Sequence, residues 1–265
     1  QLVLGEIAAQ HIENRLQIRV ERRLNLGGTL LAHQALVAGQ IDLYPEYTGT
    51  ALSNVLRLPY GEDAAHVAER VRQEYERRFH LLWLSSLGFE NGFAMAVRGA
   101  DARQHHLETL SDAAHYAPGW RLGAGYEFLG RPDGYPALVK TYHLPFKGAP
   151  RSMDLGLVYR ALTSGEVDMA AGSQTDGQLA AADVTVLRDD LHAFPPYEAA
   201  YVVRPAVLEK NAGLRGALAE LSGKFSEKTM RELNRRVDLE HEPVTAVARS
   251  FLEQAGLRKP ARAAR

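Results

Sequence analysis

The chain has 265 residues, 31 basic and 32 acidic side chains, a formal charge of −1, 46% hydrophobic residues and no cysteine. That length and apolar content fit one large domain or two lobes, and the charge balance without a long basic run argues against a nucleic-acid footprint. No apolar run nears the length of a membrane span, and without cysteine there is no disulfide, catalytic thiol or thiolate metal site.

Leu4, Ile7, Ala8, His11 and Ile12 recur at helical spacing, so a helix is predicted from the start, with His11 packed in the core rather than holding a ligand. An α/β lobe ordinarily opens on a strand. None precedes this helix, which predicts a lobe beginning upstream of Gln1, and no leader pattern of basic then apolar residues stands there. Ile18 and Val20 alternate with polar residues and predict a strand. Thr29 then reads as the N-cap of a helix burying Leu30, Leu31, Ala35 and Leu36, closed by Gly39. Residues 41–44 read as a short buried strand that Pro45 stops by removing a donor and fixing φ. The turn that follows carries Glu46, Tyr47, Thr48, Gly49 and Thr50, and loops at strand ends are where open α/β sheets bind ligands. Tyr47, Thr48 and Thr50 are therefore the first candidates for ligand contact.

The stretch Ala35-Leu36-Val37-Ala38-Gly39-Gln40-Ile41-Asp42-Leu43 is echoed by Ala161-Leu162-Thr163-Ser164-Gly165-Glu166-Val167-Asp168-Met169. Each reads as a helix end, a glycine cap and a strand led by Asp, which implies two similar lobes facing across a cleft. In that register Tyr47 corresponds to Ser173. Between the echoes, Val67, Val71 and Tyr75 mark a long surface helix, strands are predicted at 81–84 and 93–97, and a polar stretch places a lobe boundary near 96. A strand at 121–125 leads into a loop through Arg131 to Gly134, and Pro136 sits in the first turn of the next helix. A helix over 153–162, strands at 167–171 and 184–187, the rigid loop Phe194-Pro195-Pro196-Tyr197 and a returning strand at 199–204 complete the second half. Three helices follow, over 214–221, 227–237 and 244–255. The alternation predicts an α/β fold with parallel sheets. One lobe comprises residues 1–96 with 200–265 and the other 97–199, joined by two crossings.

No motif for enzymatic chemistry is present: no P-loop, dinucleotide fingerprint, zinc-protease helix or nucleophile elbow. His105-His106 lies in a charged stretch and reads as solvated. Asp42 recurs as Asp168, which favours strand-end hydrogen bonding over an acid/base pair with Glu46. What the strand-end loops share is rings: Tyr44 and Tyr47, Phe93 after Asn91-Gly92, Tyr126 and Phe128 near Arg131, and Tyr197 after two prolines. Converging aromatic faces suit a cation that donates no hydrogen bonds, and the planar fork of Arg131 suits a carboxylate on the same ligand.

The stretch Asp42 to Thr50 resembles the signature of the extracytoplasmic substrate-binding proteins of quaternary-amine (glycine betaine, carnitine and choline) ABC transporters. Asn25-Leu26-Gly27-Gly28-Thr29, Glu127-Phe128-Leu129-Gly130-Arg131-Pro132-Asp133-Gly134, Met153-Asp154-Leu155-Gly156-Leu157, Thr175-Asp176-Gly177, Leu187-Arg188-Asp189-Asp190 and Phe194-Pro195-Pro196-Tyr197 extend it along nearly the whole chain. The resemblance implies a bilobal type II periplasmic-binding fold that holds a betaine between its lobes without catalysis, cofactor or metal. It also implies a monomer on the periplasmic or extracellular face of the membrane that partners ABC permease subunits. Residue by residue, Tyr47 and Tyr197 resemble cage tyrosines, Phe93 a second cage aromatic, and Asn91 a polar neighbour. Thr50 and Arg131 resemble contacts to the ligand's carboxylate. Two departures stand out. Ser173 occupies a place where many members have another cage tyrosine, and the family's opening strand and Ser-Lys-x-Phe-Thr-Glu-like loop do not precede Gln1. A lost ring weakens a betaine about tenfold, or makes room for a bulkier one such as ergothioneine. The same fold also serves as the ligand-sensing domain of regulators and receptors, which is the main alternative.

Overall fold

A computed structural model describes residues 1–61 and 63–258. Within them the strands in chain order are β1 (Leu43–Tyr47), β2 (Leu82–Trp83), β3 (Phe93–Arg98), β4 (Leu122–Ala124), β5 (Arg151–Ser152), β6 (Met169–Ser173), β7 (Val184–Leu187) and β8 (Ala199–Val203). They form two sheets, ordered β1-β8-β2 and β5-β4-β6-β3-β7, each covered by helices. The architecture is a bilobal α/β fold. The sheets are not purely parallel as the alternation predicts. β8 returns from the second lobe and runs antiparallel between β1 and β2. β3 crosses into the second sheet antiparallel to β6 and β7, leaving β4–β5 and β4–β6 as the parallel pairs.

β8 is buried along its whole length, as a strand covered on both faces must be. Ala199 and Tyr201 pack with Leu4, Ile7, Phe225 and Phe251 on one face, while Ala200 and Val202 pack with Leu36, Tyr75 and Trp83 on the other, following the two-residue period of a strand. His11 is fully buried in the first of these layers, as its helical position predicts. Pro45 does not stop β1. The strand is an edge strand, paired only with β8, so a proline without a donor is tolerated within it. The predicted strand at Ile18 and Val20 does not form. The backbone N–H of Val20 donates to Glu13 Oε1 at 3.1 Å, which ties that segment to the opening helix instead of to a sheet.

The internal echo survives in three dimensions. β1 and β6 are five-residue strands whose residues correspond at the echo's offset, and Gly39 and Gly165 turn the chain into them at φ 72° and 77°. The N–H groups of Gln40 and Glu166 donate to Ala35 O and Ala161 O at 2.8 and 2.9 Å, closing both helices in the same way. The two aspartates differ. Asp42 pairs with Arg204, whereas Asp168 accepts from the backbone N–H and Nε of Arg121, both at 2.9 Å, and from Arg98 Nη2 at 3.1 Å. Burial alone would raise the Asp168 carboxyl. The Arg121 and Arg98 donors outweigh it and hold the group at about 2, against an ordinary value of 3.8. Because the folded value is depressed, this contribution is complete above about pH 4 and is lost as pH falls toward 2. Asp168→Asn is expected to cost about 1–2 kcal/mol at neutral pH and to flatten stability across that acid window in urea melts.

The chain passes between sheets at two adjoining points, where Glu90 bridges Glu198 and the N–H of Asn91 donates to Tyr197 O at 3.0 Å. β3 lies wholly in the second sheet, so the first passage between the sheets precedes Phe93. The uninterrupted apolar run of β3 gives no sequence break to mark it. A third connection is not legible from pattern. The helix Glu227–Asp238 reaches the turn after β6, with Arg231 Nε and Asn234 Nδ2 donating to Gln174 O and Thr175 O at 2.6 and 2.8 Å.

Candidate functional site

The site is built where β1 and β6 end and β3 begins, beside the two crossings. β1 runs into a helical turn, Thr48–Thr50, continued as a wide turn over Ala51–Val55. The Thr48 hydroxyl donates to Pro196 O at 3.1 Å and accepts from the N–H of Glu198 at 3.0 Å, fastening the loop that carries Tyr197. Gly49 permits that approach: a Cβ there would lie 2.7 Å from both Pro196 O and Tyr197 Cδ1. From the other side the Asp189 carboxylate accepts from the N–H groups of Ala193 and Phe194 at 2.9 and 3.0 Å, fixing the entry to the same loop.

The seven predicted site residues come together as two linked groups. In the first, Tyr47 is half-buried at the end of β1, its ring edge-on to Phe89 at 6.4 Å and its phenol near the Asn91 side chain. Burial pushes its phenol up to about 12, so the ring stays neutral and electron-rich at physiological pH. Asn91 Oδ1 in turn accepts from Ser173 Oγ at 2.6 Å, Thr175 Oγ1 at 2.8 Å and the Thr175 N–H at 3.2 Å. Ser173 faces Phe93 across the β3–β6 ladder.

Phe93 begins the second group. Its ring meets Phe128, Phe194 and Tyr197 edge-on at 4.8, 5.2 and 5.6 Å. The guanidinium carbon of Arg131 stands 5.0 Å from the Phe93 centroid and 5.9 Å from that of Tyr197. Arg131 Nη2 donates to Thr50 Oγ1 at 3.1 Å, joining the turn after β1 to the second lobe. The Arg131 fork, which sequence assigns to a ligand carboxylate, is taken by the neighbouring Asp133, with Nε at 3.0 Å and Nη2 at 2.6 Å. Tyr197 is 3% exposed, and its hydroxyl donates to the same carboxylate at 2.7 Å.

Beneath Tyr47, Glu46 is fully buried and accepts from the Tyr47 N–H at 2.8 Å and the Tyr44 hydroxyl at 3.1 Å. Thr29 is the first residue of its helix and not the N-cap. Gly28 takes that position at φ 116°, and the helix buries Ala32, His33, Ala35 and Leu36 while Leu30 and Leu31 face outward. Burial raises the Glu46 carboxyl from 4.5 to about 7, and the Tyr47 and Tyr44 donors and the charge of Arg131 only partly oppose this. A raised folded value means the contribution to stability is complete below about pH 4.5 and is lost as pH rises through about 7. Glu46→Gln keeps an acceptor for Tyr47 and removes the charge. It is expected to raise stability at pH 8 by about 1–3 kcal/mol and to flatten thermal midpoints between pH 5 and 8.

A cavity of about 700 Å³ opens against Phe93 and Tyr197. Its wall also carries Tyr60, Gln174, Asp189 and His192, whereas Tyr47, Thr50, Asn91, Arg131 and Ser173 do not line it. Sequence reasoning missed Asp133, Tyr60 and His192. The signal for Asp133 was present, two residues from an arginine in a quoted motif. Chemically, the arrangement offers ring faces, a guanidinium edge, hydroxyls and a carboxamide, a set suited to binding and orienting a small cation rather than to transforming it.

Residues 1–254 match the family model for the substrate binding domain of the ABC-type glycine betaine transport system. The chain is 35% identical over 258 residues to the ergothioneine transport permease/ergothioneine binding protein EgtU of Helicobacter pylori, a match covering 97% of this chain and 46% of that protein. The chain thus spans about half the length of that relative. It is 33% identical to the carnitine transport binding protein OpuCC of Listeria monocytogenes, over 95% of this chain and 82% of that one. A crystal structure of a glycine betaine/carnitine/choline ABC transporter protein superposes with a TM-score of 0.84 at 32% identity, covering 97% of this chain and 95% of that chain. By its fold and by these matches, the chain belongs to the family of substrate-binding domains of ABC-type glycine betaine transport systems.

Proposed function

We propose that this chain binds a quaternary ammonium compound of the betaine, carnitine or choline type at the seam between its lobes and delivers it to an ABC permease on the extracytoplasmic side. The observation that carries the reading is that Phe93 and Tyr197 already present their ring faces to a cation, the guanidinium of Arg131. Tyr47, Asn91 and Ser173 stand at the neighbouring strand ends outside the cavity wall and join the ligand on closure, and Thr50 with Arg131 receives the anionic end of a zwitterion. The two lobes proposed here are joined at residues 90–91 and 197–198, so closing them brings the two groups of site residues onto one ligand. None of the described helices is long and apolar enough to cross a membrane. The family names of the relatives above support the ligand class.

Titration calorimetry with glycine betaine, choline, carnitine, proline betaine and ergothioneine tests this reading. Saturable heat from at least one of them is expected. A folded protein that gives no heat with any of the five overturns it.

A further inference from the structure

Asp133 carries no role in the proposed ligand contacts, yet it is the most heavily bonded carboxylate at the site. It is fully buried. Its oxygens take both prongs of the Arg131 fork at 3.0 and 2.6 Å, the Tyr197 hydroxyl at 2.7 Å, and the Asn54 amide at 3.5 Å. A carboxylate sealed from water needs such partners, and the bidentate guanidinium is the strongest of them. Asp133 therefore orients two side chains at once, holding Arg131 against the rings of Phe93 and Tyr197 and fixing the plane of Tyr197. Of the guanidinium nitrogens only Nη1 makes no hydrogen bond among the described residues. A ligand carboxylate arriving at Arg131 meets donors that an internal carboxylate already holds, and meets the negative charge of that carboxylate.

We propose that Asp133 is a positioning residue that sets ligand selectivity: it is a built-in carboxylate that limits how much a ligand gains from carrying one of its own. The proposal rests on the quaternary-amine reading above. Neutralising Asp133 without changing its shape strengthens the hold on a ligand carboxylate, by freeing the fork and removing like-charge repulsion. It weakens the hold on a ligand that is cationic alone, by removing an attraction. Both effects move selectivity in one direction.

The test compares glycine betaine with choline, which share a trimethylammonium head and differ in carboxylate against hydroxyl, on the wild-type chain and on Asp133→Asn. The ratio of betaine to choline affinity is expected to rise about tenfold or more in the variant. If the two affinities change by the same factor, or the ratio moves toward choline, the proposal is overturned and Asp133 is structural only. A second readout needs no ligand. Heteronuclear NMR of arginine side chains in the wild-type protein is expected to show one protected Nε–H resonance, lost in Arg131→Lys and exchanging faster in Asp133→Asn. A wild-type protein without that resonance overturns the proposal whichever ligands bind. Protection in a protein that binds no quaternary amine would leave Asp133 as the holder of Arg131 and sink the ligand reading alone.

Discussion

Phe93→Ala is expected to weaken quaternary-amine binding ten- to a hundredfold. The ring is the common neighbour of Phe128, Phe194, Tyr197 and Arg131, all within 5.6 Å. Removing it takes away one cation–π face, worth about 0.5–2 kcal/mol, and releases the three partners that it holds edge-on. Because Phe93 is only half-buried, the stability cost is at the low end for such a truncation, about 2 kcal/mol. Phe93→Leu separates the two contributions. Leucine refills most of the volume, so thermal midpoints recover, but it has no electron-rich face and binding stays weak. Recovery of binding in the leucine variant would mean that the ring serves packing alone.

Asn91→Ala is expected to cost about 2–4 kcal/mol of stability and to weaken binding at least tenfold. Its Oδ1 is the shared acceptor for Ser173 Oγ, Thr175 Oγ1 and the Thr175 N–H, and its side chain lies near the Tyr47 phenol. Thr175 is buried, so deleting the acceptor strands donors away from water, which costs more than the bonds contribute when made. The same deletion releases Tyr47 from the first lobe and Ser173 from the second, at the point where the chain crosses between them. Asn91→Asp keeps the acceptor and is expected to keep most of the stability. Urea melts of the two variants against wild type give the comparison, and a loss under about 0.5 kcal/mol for the alanine variant would contradict the hub assigned to Asn91.

The internal echo was the most informative local feature of the sequence, because a glycine cap followed by a strand led by Asp encodes its own geometry. Gly39 and Gly165 adopt left-handed conformations that few other residues tolerate, and the strands they introduce correspond residue for residue. Of the rings singled out at strand ends, Phe93 and Tyr197 meet at the cavity, whereas Tyr126 beside Gly125 is exposed and Tyr44 packs in the core with Leu36 and Tyr75, so a ring beside Gly or Pro does not by itself fix where it goes. Strand direction was not legible. Period and composition are the same for parallel and antiparallel neighbours, and β8 reverses only because the chain crosses twice. The state of Arg131 was hidden too. A sequence places Arg131 and Asp133 two residues apart, but only the fold shows the carboxylate turned back onto the fork and onto Tyr197. Ile18 and Val20 misled because alternation predicts a pleated face and says nothing of a carboxylate, here Glu13, that satisfies the backbone instead.

In the proposed cage, Phe93, Tyr197 and Tyr47 recognise the positive charge of a methylated nitrogen and not merely its bulk. Glycine betaine and tert-butylacetate have the same shape and the same carboxylate, and differ in whether nitrogen or carbon bears the three methyl groups. Competition calorimetry on the wild-type chain is predicted to show betaine bound at least tenfold more tightly than its carbon analogue. Equal affinity for the two would contradict the account.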